Sequence, residues 1–178
     1  MKIIKSLRTA PPTAWFGFVV VTIYLIVAIF APLIAPYGER EIVGDEYVAW
    51  DSQFIFGTDA LGRDMFTRLV FGARNTVGIA FVTTVLAFVV GAVFGLLAAV
   101  VGGWLDQLLS RTVDVLMAIP SLIFKLLLLT IFGTSVVNMV LIIALIDSTR
   151  VYRLARSVAM NIVVMDYIEA ARLRGERL

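Results

Sequence analysis

The chain has 178 residues, of which 61% are apolar and only 16% charged, and its formal net charge is +2. Soluble domains are roughly 45 to 50% apolar, so this composition excludes an ordinary soluble fold and predicts a membrane protein. Cysteine and histidine are both absent, which excludes Ser-His and Cys-His catalysis and disfavours zinc, haem and thiolate sites. There is also no Gly-x-x-x-x-Gly-Lys-Ser/Thr loop, so another chain must bind any nucleotide that is used. We therefore expect no catalytic residue, no metal, no cofactor and no nucleic-acid partner.

The first apolar run predicts a membrane span over residues 14–36, after a basic amino-terminal tail of residues 1–13. About 20 apolar residues are enough to cross a bilayer and exceed the 7 to 15 of a signal-peptide core. A cleaved signal peptide is the alternative, because basic residues precede the run. Pro32 and Pro36 lack backbone donors and are expected to end the helix near the interface.

A polar, net acidic outer segment follows over residues 37–75. Apolar residues recur at helical spacing from Met65 to Ala73, which predicts an amphipathic helix along the membrane surface, with Asp59 or Asp64 capping its start. The residues before and within this helix indicate turns and ion pairing, an internal role that we favour over contact with a protein at the outer face. These residues are Gly57, Thr58, Asp59, Gly62, Arg63, Asp64 and Arg74.

Three further spans are predicted within residues 76–178. The second covers residues 76–101, where Gly91 and Gly95 favour close packing within one bundle over a dedicated dimer face. A short link after Gly102 and Gly103 leads to the third span at residues 113–132. The fourth has a short apolar core at residues 136–146, so we expect it to continue through polar residues shielded by other helices or a cavity.

Polar side chains within the predicted spans are candidates for lining a pathway. On the fourth span they are Asn138, Asp147, Ser148 and Thr149, with hydrogen bonding between helices as the alternative role. Lys125 lies well inside the third span, where a charge costs roughly 3 kcal/mol unless its long side chain reaches the interface. Asp114 is too distant to pair with it, because eleven helical residues extend about 16 Å.

The basic residues orient the predicted bundle. An amino terminus inside the cell places ten of them in the cytoplasm and four outside, as the positive-inside rule requires. The sequence therefore predicts an all-α, polytopic transmembrane helical bundle with about four spans and a cytoplasmic amino terminus.

The last residues predict a helix that another protein approaches closely. Glu169-Ala170-Ala171-Arg172-Leu173-Arg174-Gly175 combines two adjacent alanines with a carboxylate, arginines and a terminating glycine. Small side chains permit close contact, and the predicted orientation places this helix in the cytoplasm. An ordinary exposed helix is the alternative interpretation.

Two of these motifs resemble those of the membrane-spanning permeases of binding-protein-dependent ABC importers, particularly the second permease subunit of dipeptide, oligopeptide and nickel systems. The stretch from Gly57 to Asp64 looks like the segment before the second span of this branch, and Glu169 to Gly175 looks like the start of the general permease loop. Asp114 to Pro120 is similar to the start of the family's third span. The resemblance covers nearly the whole chain.

The resemblance implies a multi-pass subunit of the bacterial inner membrane that imports peptides or similar small solutes. It implies three kinds of partner: a second homologous permease, two cytoplasmic ATPase subunits and an extracytoplasmic solute-binding protein. This chain would be no enzyme, because the ATPases hydrolyse the ATP. Glu169, Ala170, Ala171 and Gly175 would belong to a coupling helix that docks on one ATPase and transmits its motion to an alternating-access pathway.

Two features depart from the family pattern. The resemblance implies an Ile-x-Leu-Pro ending to the coupling loop and about two further spans, six in all, so we expect a truncated product or an amino-terminal fragment. Lys125 stands where the family typically has a small or apolar residue. The alternatives are a non-transporting membrane scaffold that binds an ATPase unproductively and, less favoured, a secondary transporter, whose inverted repeats and midplane ion site we do not find.

Overall fold

The computed structural model describes residues 11–175, apart from the side chains of residues 167, 169, 171 and 172. This part of the chain forms six helices: α1 (Pro12–Ile34), α2 (Met65–Val101), α3 (Gly103–Ala118), α4 (Ser121–Phe132), α5 (Val136–Val163) and α6 (Asp166–Leu173). Within the described residues no strand forms, and an isolated antiparallel bridge joins Thr58 to Asp64. The all-α prediction is confirmed. Most of the predicted amino-terminal tail, residues 1–10, lies outside the described residues.

The helices α1 and α2 are long and apolar enough to cross a membrane, and α3 with α4 would provide a third span if the bent pair is taken as one. The predicted fourth span lies on α5, which is apolar only through Ile146 and then carries Asp147 and Arg150. By length and composition α5 does not qualify. The chain is thus a helical membrane protein with two or three such spans among the described residues. A further span on α5 stays a prediction.

Helix α2 differs from the prediction because the amphipathic helix and the second span are one continuous helix. It runs for 37 residues from Met65 to Val101, about 55 Å at 1.5 Å per residue. No proline interrupts this stretch, so no backbone donor is lost where the amphipathic part meets the apolar part. The helical character of residues 65–73 is confirmed, whereas the predicted break before residue 76 is wrong.

The predicted third span, residues 113–132, is divided between two helices, because α3 and α4 are bent by 91° at a short break. Ile119 ends α3 in an extended conformation, with φ −90° and ψ 133°. Proline disfavours the helical conformation of the residue before it, and Pro120 follows directly. At the other end, α3 begins at Gly103 itself, so the residues expected to form a link are helical.

The chain divides into two compact units, Met1–Ala80 and Phe81–Leu178. In the first, the outer segment folds around the buried side chains of Phe54 and Thr58. In the second, α5 packs against α3 and α4, and the two glycines of α2 lie against it. A Cβ atom on Gly91 would lie 2.5 Å from the carbonyl oxygen of Ser148, and one on Gly95 would lie 2.7 Å from that of Tyr152. The predicted packing within one bundle is confirmed.

Candidate functional site

In the outer segment, Asp59 is the centre of a small polar cluster. Its Oδ1 accepts hydrogen bonds from the backbone amides of Leu61 (2.8 Å) and Arg63 (3.0 Å). Its Oδ2 accepts from the side chains of Arg63 (2.9 Å) and Arg68 (2.6 Å). The bond from the Arg63 backbone amide is the main reason that the pKa of Asp59 falls to about 2, although burial opposes the shift.

The rest of the predicted outer motif shapes the turns around this cluster. Gly57 and Gly62 have φ values of 71° and 69°, which glycine adopts without steric cost. Thr58 Oγ1 accepts from the amide of Val48 and donates to the carbonyl oxygen of Asp45. Asp64 accepts from the backbone amide of Thr67 at 2.7 Å and so caps α2.

The described outer segment thus contains turns, an ion pair and a helix cap. The ion pair joins Arg63 to Asp59. Arg74 is not part of this cluster in the described outer segment, where the next residue, Asn75, instead donates to Glu39 at 2.9 Å.

The second unit brings Lys125 and Asp147 together. Lys125 Nζ donates to both carboxylate oxygens of Asp147, at 2.8 and 3.0 Å, which ties α4 to α5. The Lys125 side chain is 19% exposed and that of Asp147 36%. A charge that the sequence left without a partner thus has one across the helix interface, 22 residues further along the chain.

The other three pathway candidates make local hydrogen bonds. Asn138 donates to the carbonyl oxygen of Phe132 at 2.5 Å and so binds the last turn of α4. Ser148 and Thr149 donate to the carbonyl oxygens three residues earlier in α5. These contacts do not test whether any of the four side chains lines a pathway, and that role stays a prediction.

The predicted docking helix corresponds to α6, which follows α5 after a two-residue turn. Met165 donates its backbone hydrogen to Ile162, and Ile168 donates to Met165, so the turn is hydrogen-bonded on both sides. The side chains of Glu169 and Ala171 lie outside the described ones, whereas Ala170 and Gly175 are exposed. Gly175 has a φ of 82°, as expected for a glycine that ends a helix. Docking of a partner on α6 stays a prediction.

One set of contacts was missed by the sequence analysis, which used the arginines of α5 only to orient the bundle. Acidic and hydroxyl groups of α3 face these arginines and their neighbour. The contacts are Asp106–Arg156 at 2.5 and 2.6 Å, Ser110–Tyr152 at 3.0 Å and Asp114–Arg153 at 3.1 Å. A signal was present, because the α3 residues recur every four positions and therefore lie along one side of a helix.

Two family models match the chain. Residues 11–48 match the N-terminal TM domain of oligopeptide transport permease C, and residues 91–177 match the binding-protein-dependent transport system inner membrane component. The first match contains α1. The second contains the Gly91 and Gly95 packing, the bent pair, α5 and α6.

The chain is also similar to curated permeases. It is 34% identical over 165 residues to the dipeptide transport system permease protein DppC of Alkalihalophilus pseudofirmus, an alignment that covers 89% of this chain and 53% of that protein. It is 32% identical to the di/tripeptide transport system permease protein DppC of Pseudomonas aeruginosa (89% and 55% covered). It is 30% identical to the probable D,D-dipeptide transport system permease protein DdpC of Escherichia coli (98% and 58% covered).

The chain therefore spans little more than half the length of these relatives, while they align with nearly all of it. The motifs from Asp114 to Pro120 and from Glu169 to Gly175 lie within the second match, whereas Gly57 to Asp64 lies between the two matches. The helical membrane fold agrees with both family models. The chain belongs to the family of binding-protein-dependent transport system inner membrane components.

Proposed function

We propose that this chain is a transmembrane permease subunit of an ATP-driven importer for peptides or similar small solutes, located in the bacterial inner membrane. The observation that carries the proposal is its similarity to permeases named for dipeptides and di/tripeptides, at 30 to 34% identity over 89 to 98% of its length. Its apolar helices suit a membrane subunit of this kind.

The proposed partners follow from a family whose transport depends on a binding protein. An extracytoplasmic solute-binding protein delivers the peptide, and a second homologous permease completes the pathway. Two cytoplasmic ATPase subunits hydrolyse ATP, so this chain is a permease and not an enzyme. Asn138, Asp147, Ser148 and Thr149 are the candidates for its pathway surface.

In this proposal α6 is the coupling helix that docks on one ATPase subunit. Closure of the ATPase dimer on ATP draws the two coupling helices together and favours an outward-facing pathway, and hydrolysis resets it. The helix α5 supports this role because it continues unbroken for 28 residues and joins α6 through a hydrogen-bonded turn. A displacement of α6 therefore moves α5 as well.

The first test is purification of the tagged chain from its native membranes in mild detergent, with each retained protein identified by mass spectrometry. Recovery of a second permease and ATPase subunits is the expected result. A correctly inserted chain that retains neither of them contradicts the proposal.

Substitutions in the coupling helix test the docking. Ala171→Trp and Gly175→Pro are expected to abolish peptide uptake while membrane insertion is retained. The first blocks close approach, and the second requires a negative φ where the chain has 82°. Glu169→Ala is expected to weaken ATPase binding by about 2 to 5 kcal/mol, because it leaves a charge of the partner unpaired. Leu154→Trp, at an exposed residue of α5, is the control for added bulk, and normal uptake by either coupling-helix variant would refute the docking.

A further inference from the structure

The contacts between α3 and α5 are unequal in strength. Arg156 makes a two-bond contact with Asp106, with side chains only 31% and 16% exposed. Arg153 makes one bond to Asp114, and both of those side chains are at least half exposed. Planar, two-bond contacts that are shielded from water are the stronger kind. The firm connection between the two helices is therefore at Asp106 and Arg156.

A buried tyrosine extends this connection by one helical turn. Tyr152 is buried against Ala98 of α2 and Val113 of α3, and its hydroxyl lies 3.0 Å from Ser110 Oγ. The same stretch of α5 also lies against Gly91 and Gly95 of α2, at distances that leave no room for a side chain. The part of α5 between residues 148 and 156 is thus held by two helices at once.

The bent pair α3–α4 is tied to α5 on both of its arms. Asp106 and Ser110 hold the α3 arm, and Lys125 holds the α4 arm through Asp147. Only seven residues of α5, or about 10 Å of helix, and the two-residue turn separate Arg156 from the start of α6. A movement that enters α5 from α6 therefore reaches the α3 arm first through the Asp106–Arg156 contact.

We infer that Asp106 and Arg156 are positioning residues that transmit displacement of α6 to the bent pair, and that breaking their contact uncouples ATP hydrolysis from transport. This inference rests on the proposed function. Rigid transmission requires contacts that do not slip when force is applied to α5. The shielded two-bond contact meets that requirement, whereas the exposed Arg153–Asp114 contact does not.

The experiment uses the complete importer reconstituted in proteoliposomes, with ATP hydrolysed and labelled dipeptide imported measured on the same sample. Arg156→Glu is expected to lower the dipeptide imported per ATP by about tenfold, within the range of coupling between distant sites. The reversed pair, Asp106→Arg with Arg156→Glu, is expected to restore most of the ratio. Arg153→Glu is the matched control, because it reverses an arginine of the same helix in an exposed contact, and its ratio should change less than about twofold.

The ratio separates transmission from folding, because a misfolded subunit loses hydrolysis and uptake together. If Arg156→Glu does not assemble, Arg156→Gln gives the same measurement without a reversed charge. If the wild-type complex imports dipeptide and the Arg156 variant imports as much dipeptide per ATP, this inference is overturned and the proposed function stands. A wild-type complex that neither hydrolyses ATP nor imports dipeptide overturns the proposed function, and this inference with it.

Discussion

Among single residues, Asp59 holds the outer segment through four hydrogen bonds, two of them from arginine side chains. Asp59→Asn keeps the shape of the side chain but removes its charge, which weakens the bonds from Arg63 and Arg68. The backbone amides of Leu61 and Arg63 are therefore expected to exchange hydrogen with solvent faster. Hydrogen exchange followed by mass spectrometry measures this. Glu46→Gln, at an exposed carboxylate of the same segment, is the control, and equal exchange in the two variants contradicts the prediction.

The same carboxylate predicts a pH dependence of the outer segment. The bond from the Arg63 amide lowers the pKa of Asp59 from 3.8 to about 2. Because the folded segment binds this proton less readily than the unfolded one, Asp59 contributes its full stability above pH 3.8, and the contribution is lost as the pH falls toward 2. The exchange difference between wild type and Asp59→Asn should shrink across that window. A difference that is unchanged at pH 2 argues against this origin.

The glycines of α2 differ in their surroundings, which gives a matched pair of substitutions. Gly91→Ala places a methyl group 2.5 Å from the Ser148 carbonyl oxygen, and such overpacking typically costs about 1 to 3 kcal/mol. A Cβ atom on Gly78 would have no atom of the described residues within 4 Å beyond its own turn of helix backbone. Gly78→Ala should therefore gain up to about 1 kcal/mol from helix propensity. Equilibrium unfolding in mixed micelles measures both changes. Equal effects would mean that α2 and α5 do not approach closely.

At the level of helices, α4 is tied to α5 by the Lys125–Asp147 pair. Lys125→Met leaves a carboxylate without its partner and is expected to lower the free energy of unfolding by about 1 to 3 kcal/mol. The loss should stay below that of a fully buried pair, because Asp147 is 36% exposed. Lys125→Met with Asp147→Leu should recover most of it, since replacing both charges leaves neither unpaired.

The control for this pair is Arg153→Met, which breaks an exposed contact with Asp114 and should cost less than about 1 kcal/mol. Unfolding in mixed micelles compares the three variants. A double variant that is as unstable as Lys125→Met alone would show that the pair itself is not what stabilises the α4–α5 contact.

Local signals decided which helices the sequence could predict. The apolar run of α1 and the capping carboxylate of α2 are features of neighbouring residues, and both elements are found. Pro32 was expected to end α1 but lies inside it, and the helix ends at Ile34, two residues later. The sequence also held the signal for the continuity of α2, since no proline divides it, but that signal was not used. The 91° bend at Pro120 was not, because proline permits a break while the packing of α4 on α5 sets its direction.

Partners on different helices could not be found from spacing along one helix. An ion pair between Lys125 and Asp114, both on the predicted third span, was correctly rejected. The partner of Lys125 is Asp147, which lies on the next helix, across a turn. For the candidate site, the docking motif was recognisable as a string of residues. The Asp106–Arg156 contact required the antiparallel arrangement of α3 and α5, which only the folded chain provides.

For the whole molecule, the distribution of basic residues predicts which ends of the spans face the cytoplasm. The outer segment carries seven of the 13 acidic residues and four arginines, whereas the end of α5 and the chain beyond it are rich in arginine. Residues near Glu46 should therefore lie outside the cell, and residues near Asn161 should lie inside. An inverted chain would place the arginine-rich end outside and the acidic segment against the anionic inner leaflet.

The absence of cysteine from the sequence makes this orientation directly measurable, because a single introduced cysteine is then the only thiol. In intact spheroplasts, a membrane-impermeant maleimide should label Glu46→Cys, whereas it should label Asn161→Cys only after the membrane is permeabilised. Both sites are exposed, so a failure to react means that the membrane, and not burial within the protein, keeps the maleimide away. Reversed labelling would invert the chain and place α6 outside, where no cytoplasmic ATPase could dock. Labelling of both sites without permeabilisation would place them on the same side, which the predicted orientation does not allow.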